Sequence, residues 1–178
     1  MTGADKKPGK AGSPGLAPAD EGADGNPEQA TGLLVSTFYL RNGLFALDTA
    51  LVEEVVRLRR TTRVAHAPDC VMGIMNLRGK IITVLDLAQM LHLGKTTPGD
   101  DSRLYVVRDG DSIAGLLVDR AADVVELDPN RLEAAPTNVR EAEGRFFKGI
   151  ARVSDRLIAV LDVDAVIAME DPEETESS

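Results

Sequence analysis

The chain has one cysteine, two histidines and no excess of basic charge. With Cys70 alone, no intramolecular disulfide can form; a reducing compartment is the default expectation, and the thiol reads as a small buried hydrophobe. His66 and His92 have no second His or Cys at metal-ligand spacing, so no metal site is expected. No run approaches the ~20 apolar residues of a membrane helix, and the amino end carries lysines without the apolar core of a signal peptide. These absences predict a cytoplasmic protein without direct membrane insertion.

Catalytic kits are missing as well. There is no Gly-x-Ser-x-Gly elbow and no second thiol, so nucleophilic catalysis has no recognisable constellation. Gly94-Lys95-Thr96 completes only the end of a phosphate loop, because Gln89 stands where the first glycine is required and Met90 to Leu93 reads as helix. No catalytic residue and no cofactor is therefore expected. Asp48, Asp86 and Asp162 look like a set of carboxylates, yet each sits where a strand gives way to a short helix, and capping accounts for all three.

The charge balance excludes a further class. Of 29 acidic and 20 basic residues, the segment Met1 to Gly32 holds five and three, and Glu170 to Ser178 holds five and none. The body between them has 19 acids against 17 bases, so the net charge of -9 lies mainly in the ends. A nucleic-acid binder would carry a basic face able to displace counterions, and none is expected here. Residues 1–32, rich in Gly, Pro, Ala and Asp, read as a disordered leader, and 170–178 as an acidic disordered tail. Arg57, Arg59, Arg60 and Arg63 form a local basic cluster, read as a solvated face with Arg57 and Arg59 on one side of a strand and Arg60 on the other, or else as a contact for an acidic partner.

Between the ends lie short runs of Val, Ile and Leu separated by turn signals, which predicts a mainly β fold with a few short helices. Strands are expected at Val35 to Leu40, Leu44 to Asp48, Val52 to Leu58, Met72 to Leu77 and Ile81 to Leu85. In Arg41-Asn42-Gly43, Asn42 and Gly43 are the residues expected to tolerate positive φ. Asp86 with Gln89 resembles a helix cap, opening a helix over Leu87 to Leu93 that ends at Gly94. The second half repeats the plan with strands at Leu104 to Arg108, Ile113 to Val118, Ala122 to Leu127, Gly149 to Val153 and Leu157 to Leu161, then a helix over Val163 to Met169. Setting Gly73 to Leu91 against Gly149 to Ile167 matches six of 19 positions, which indicates an internal duplication. Two five-stranded barrels with a groove between them are the expected architecture, since closure removes exposed strand edges. Lobe one is expected at about residues 36–100 and lobe two at about 101–169, with crossing of the termini left open.

The duplication isolates one element. Asn76-Leu77-Arg78-Gly79 stands opposite Arg152-Val153-Ser154-Asp155, so the strands are repeated and the tip is not. Gly79 is expected to supply positive φ and Arg78 to place a permanent cation at the hairpin tip, either as an ordinary polar turn residue or as a guanidinium that grips a partner.

Residues Gly73 to Leu87, GIMNLRGKIITVLDL, resemble the central motif of the CheW family of bacterial chemotaxis adaptors, Gly-Val-x-Asn-Leu-Arg-Gly-x-Ile/Val-x-Pro-Val/Ile-Val/Ile-Asp-Leu. The likeness runs from about Val35 to Met169 and includes Leu51 to Val56, Ala67-Pro68 and Gly115 to Asp119. Thr83 stands where the family usually has proline. The resemblance implies two SH3-like five-stranded lobes around a shared apolar core and a non-enzymatic role, bridging chemoreceptor cytoplasmic tips to the regulatory domain of the histidine kinase CheA. It implies receptor or kinase contacts at Val52, Glu54, Asn76, Leu77, Arg78 and Gly79, and rings of CheW-like proteins built by contacts between unlike lobes. Two alternatives stand beside it: the same scaffold in a non-flagellar pathway such as surface motility or polar localisation, and a small-ligand sensor using the interlobe groove.

Overall fold

A computed structural model describes residues 32–134 and 144–168. The expected leader, apart from Gly32, and the acidic tail lie outside the described residues. Ten strands form: β1 (Leu33–Leu40), β2 (Gly43–Asp48), β3 (Val52–Val56), β4 (Val71–Leu77), β5 (Lys80–Asp86), β6 (Arg103–Asp109), β7 (Ser112–Val118), β8 (Arg120–Leu127), β9 (Phe147–Val153) and β10 (Arg156–Leu161). Helices α1 (Leu87–Met90) and α2 (Val163–Ile167) follow β5 and β10. Asp86 and Asp162 cap them, and Asp48 caps the single 3-10 turn between β2 and β3, as the strand-to-helix positions predict. β3 is shorter than expected, so Arg57, Arg59, Arg60 and Arg63 sit in the exposed segment after it and not on two faces of a strand.

The strands make two five-stranded sheets in the orders β8-β1-β2-β10-β9 and β3-β6-β7-β5-β4. The lobes therefore do not follow the halves of the sequence divided near residue 100. Each sheet takes the opening hairpin of one half and the last three strands of the other. Parallel pairs β2–β10 and β5–β7 splice the halves together. Adjacent halves would each need all five strands to pair among themselves; here the exchange is complete and symmetric, which is the structural form of the duplication.

Exchange explains why the opening hairpins are apolar at successive positions. In β1, Val35 packs into the interior of its own lobe with Ala46, Leu127, Ala151, Ile158 and Val160, while Phe38 and Leu40 face the other sheet. In β6, Leu104 and Val106 line the second lobe with Met75, Leu77, Ile82, Val84 and Leu117, while Tyr105 and Val107 face the shared core. Helices α1 and α2 complete that core through Leu87, Met90, Val163 and Val166. Phe38 and Tyr105 rings lie 5.1 Å apart, and the Tyr105 hydroxyl donates to Thr37 O at 3.1 Å and accepts from Ser36 Oγ at 3.3 Å. Burial raises the Tyr105 pKa, with the Ser36 bond opposing, so the phenol stays a donor to that carbonyl. Arg41 is a second tie: it donates to Leu93 O at 3.4 Å and to Lys95 O, joining the β1–β2 turn to the loop after α1. In that turn Arg41 takes the left-handed φ, +54°, where Asn42 and Gly43 were expected to.

Neither sheet closes into a continuous barrel. In each lobe the chain beyond the third strand makes one isolated bridge to the hairpin opposite, Thr62 with Ile74 and Glu133 with Ile150. Thr62 N donates to Ile74 O and Ile74 N to Thr62 O, each at 2.8 Å. These latches explain a repeated glycine in two aliphatic strands. A Cβ on Gly73, which has φ +141°, would lie 2.3 Å from Thr62 O, and one on Gly149 would lie 2.8 Å from Glu133 O. Only hydrogen leaves room for the crossing backbone.

The two capping aspartates are unequal. Asp86 is 1% exposed and accepts from Gln89 N at 3.1 Å, Thr96 N at 2.7 Å and Thr96 Oγ1 at 2.7 Å, so it also pins the loop after α1. Asp162 accepts from Ala165 N at 3.4 Å. Asp86→Ala should therefore cost about 2–4 kcal/mol in urea denaturation, for a cap plus stranded donors, against about 1 kcal/mol for Asp162→Ala. Equal losses would show that the Thr96 bonds contribute nothing. Gly73→Ala should destabilise by about 2 kcal/mol or more, and Gly149→Ala by less, because its φ is unstrained and its contact longer. A loss below about 0.5 kcal/mol at Gly73 would mean that the latch simply moves aside.

Candidate functional site

The β4–β5 tip is a two-residue turn in which Leu77 pairs with Lys80. Arg78 has φ +52° and Gly79 φ +84°, the double left-handed geometry of a type I′ hairpin, so the strained position includes the arginine as well as the glycine. The second copy has the same turn without glycine, at Ser154 (φ +45°) and Asp155 (φ +65°). The backbone of the tip is thus duplicated, and only its side chains differ. Left-handed φ at a non-glycine costs roughly 1 kcal/mol, yet among the described residues five others share it with Arg78, namely Arg41, His66, His92, Ser154 and Asp155. Strain alone does not single out Arg78.

Its partner does. Arg78 Nε donates to Glu54 Oε1 at 3.2 Å and Nη2 donates to Glu54 Oε2 at 3.0 Å, a two-pronged pair. Glu54 lies on β3 and Arg78 at the far edge of the same sheet, so the pair spans the open seam of the lobe. The Arg78 side chain is 79% exposed and that of Glu54 25% exposed, so Glu54 holds one side of a guanidinium that otherwise faces water. Two of five N–H donors are used, and the rest are uncommitted among the described residues. Asn76 Oδ1 accepts from Gly79 N at 3.0 Å, which assigns Asn76 to holding the turn.

The structure brings Glu54, Asn76, Arg78 and Gly79 together and separates the other two residues. Leu77 is 6% exposed and packs in the lobe interior with Met75, Ile82 and Leu104, so its side chain is not available as a contact surface. It follows Asn76 and precedes Arg78 on a strand, and alternation turns it inward. Val52 is half-buried against the shared core, across a bulge from Glu54 that pairs Val52 with Val107 and Glu54 with Val106. The intervening Glu53 pairs with Arg108, whose hydrogen bond holds the Glu53 carboxyl below its usual range.

Several residues of this surface were not singled out from the sequence. Ile81 is 58% exposed beside Asn76, and Leu157, its counterpart in the second copy, is 54% exposed beside Arg152. Val55 and Val124 are exposed next to Tyr105 and Ser36, on either side of the seam between the sheets. The available signal was aliphatic residues repeated at outward-facing positions of both copies. The expected groove between the lobes is otherwise filled by the shared core; one cleft of about 390 Å³ lies beside β4 and α1, and another of about 300 Å³ beside β1, β8 and β10. Among the described residues no group of His, Cys, Asp and Glu could hold a metal ion, and no helix is long and apolar enough to cross a membrane. Cys70 is only half-buried, less than expected, and burial raises its thiol pKa.

With this geometry in place, comparison with known proteins is specific. The model of the CheW-like domain family matches residues 34–171. The chemotaxis protein CheW of Thermotoga maritima is 34% identical over 133 residues, covering 75% of this chain and 86% of that protein. CheW of Bacillus subtilis is 27% identical over 143 residues, covering 80% and 92%. The protein FrzA of Myxococcus xanthus is 35% identical over 68 residues, 38% of this chain and 42% of that one. The crystal structure of the scaffolding protein TtCheW from Thermoanaerobacter tengcongensis superposes with a TM-score of 0.68 at 35% identity, covering 74% of this chain and 85% of that one. The matched span, the solved relative and the two exchanged five-stranded lobes agree, and the chain belongs to the CheW family of chemotaxis scaffolding proteins.

Proposed function

We propose that this protein is a cytoplasmic, non-enzymatic adaptor that couples chemoreceptor cytoplasmic tips to the regulatory domain of the histidine kinase CheA. The observation that carries this reading is the exposed Arg78 guanidinium, held by Glu54 at the tip of a hairpin whose twin lacks it. A guanidinium pre-oriented by one carboxylate loses little freedom when a partner's carboxylate or carbonyl takes its remaining donors.

Each proposed partner has a surface that supports it. Val55 and Val124 give an apolar strip along the seam between the sheets, bordered by the half-buried Val52 and suited to the exposed face of a receptor helix, with the Arg78–Glu54 pair on the same lobe as Val52 and Val55 to fix register. Ile81 and Leu157 occupy equivalent places on the outer faces of the two lobes but with different neighbours, Asn76 and Thr83 in one and Arg152 and Ala159 in the other. Similar apolar centres with unlike rims suit contacts between unlike lobes, the condition for a closed ring with CheA or with other CheW-like proteins. The partial match to FrzA, a relative whose name is not a chemotaxis one, favours as second reading the same scaffold serving another signalling pathway. The small-ligand sensor has less support, since the interlobe space it requires is packed with side chains.

Arg78→Ala should weaken binding to a receptor cytoplasmic fragment or to the CheA regulatory domain by about tenfold or more, the loss expected for a charge-assisted hydrogen bond. Stability should fall by no more than about 1 kcal/mol, because the Glu54 pair is a surface one. Glu54→Gln should weaken binding less, since it leaves the cation in place. Calorimetric titration and thermal melts measure both quantities, and unchanged affinity of Arg78→Ala for both partners would remove the tip from the coupling role.

A further inference from the structure

A second surface shares no residue with the Arg78 pair. It is the cleft of about 390 Å³ whose lining includes Arg63, Val64, Pro68, Met72, Gln89 and Lys95. We propose that this cleft binds a short acidic peptide segment of a partner protein, one that offers a carboxylate to Arg63 and Lys95 and an aliphatic side chain to the wall between them.

Four observations point to this occupant. In a chain of net charge -9, Arg63 lines the cleft, is exposed and makes no ion pair among the described residues, and Arg57, Arg59 and Arg60, also exposed and without an ion pair, precede it within seven residues but lie outside the lining. Lys95 is presented by a loop fixed on both sides: Asp86 binds Thr96 N and Oγ1, and Arg41 binds the carbonyls of Leu93 and Lys95. The backbone is pinned while the Lys95 side chain stays exposed. Gln89 Oε1 is buried with no hydrogen-bond partner, a deficit that a peptide N–H relieves when the amide turns toward the cleft. Finally, the wall is aliphatic, with Val64 46% exposed beside Pro68 and Met72.

The same lining selects against nucleic acid. No aromatic residue lines the cleft on which a base could stack. A peptide needs no such stacking platform and can set an aliphatic side chain against Val64, Pro68 and Met72.

The test uses the full chain and the fluorescently labelled pentapeptide Glu-Glu-Leu-Glu-Glu, with Lys-Lys-Leu-Lys-Lys as its charge-reversed control. The acidic peptide should bind with an affinity that falls as salt rises, and the control should not bind. The double change Arg63→Gln with Lys95→Gln alters two exposed side chains and should weaken binding about tenfold or more. Arg78→Ala should leave it unchanged, which separates this site from the coupling tip. No binding of the acidic peptide, or no loss in the double variant, overturns the proposal. So does tighter binding of a single-stranded oligonucleotide, or binding seen only after residues 170–178 are removed, which would assign the cleft to nucleic acid or to this chain's own acidic segment.

Discussion

The β1–β2 and β6–β7 hairpins bury both of their faces, one inside a lobe and the other against each other, and every other element is placed by that contact. Phe38, Leu40 and Phe45 from one sheet meet Tyr105, Val107 and Leu116 from the other, with the short helices filling the ends. Because each hairpin pairs with strands from the opposite half of the chain, the two halves of the sequence cannot separate without breaking the sheets, while the two lobes are held to each other by the shared core. A buried tyrosine bonded to Ser36 and Thr37 adds direction to a contact that hydrophobic burial alone would leave free to slide.

A scaffold benefits from this rigidity. The shared core, with a chain that passes between the sheets after β2 and after β7, joins the two lobes. The functional differences are confined to side chains on a repeated frame. Both hairpin tips adopt the same left-handed turn, yet one carries Arg78 braced by Glu54 and the other Ser154 and Asp155. Both outer faces expose one aliphatic residue, Ile81 or Leu157, set among unlike neighbours. Duplication supplies the frame twice, and divergence at the surface makes the two ends distinct.

Local chemistry explains what could be read early. Strand alternation, the three capping aspartates and the repeated glycine-to-aspartate stretch are determined within a few residues, and the structure keeps them all. The tip motif was legible for the same reason. The inward direction of Leu77 was not legible, because a motif read as a string hides the alternation that sends this residue into the lobe interior between two exposed neighbours. Closed barrels were expected because closure removes edges; the lobes manage their edges with single bridges at Thr62 and Glu133, formed by segments too irregular to read as strands.

The sequence by itself determined the elements, the duplication, the charge distribution and the residues of the tip, since each depends on spacing or composition within a short window. Only the tertiary structure decided which half of the chain each strand pairs with, because aliphatic strands of similar length are equally good partners until the whole set must be satisfied at once. It also decided that Gly73 and Gly149 make room for a crossing backbone, that Arg41 ties one lobe to the other, and that Lys95 and Arg63 line one cleft. These are contacts between residues that do not neighbour one another along the chain, and their energies exist only once the strands have assembled into their sheets.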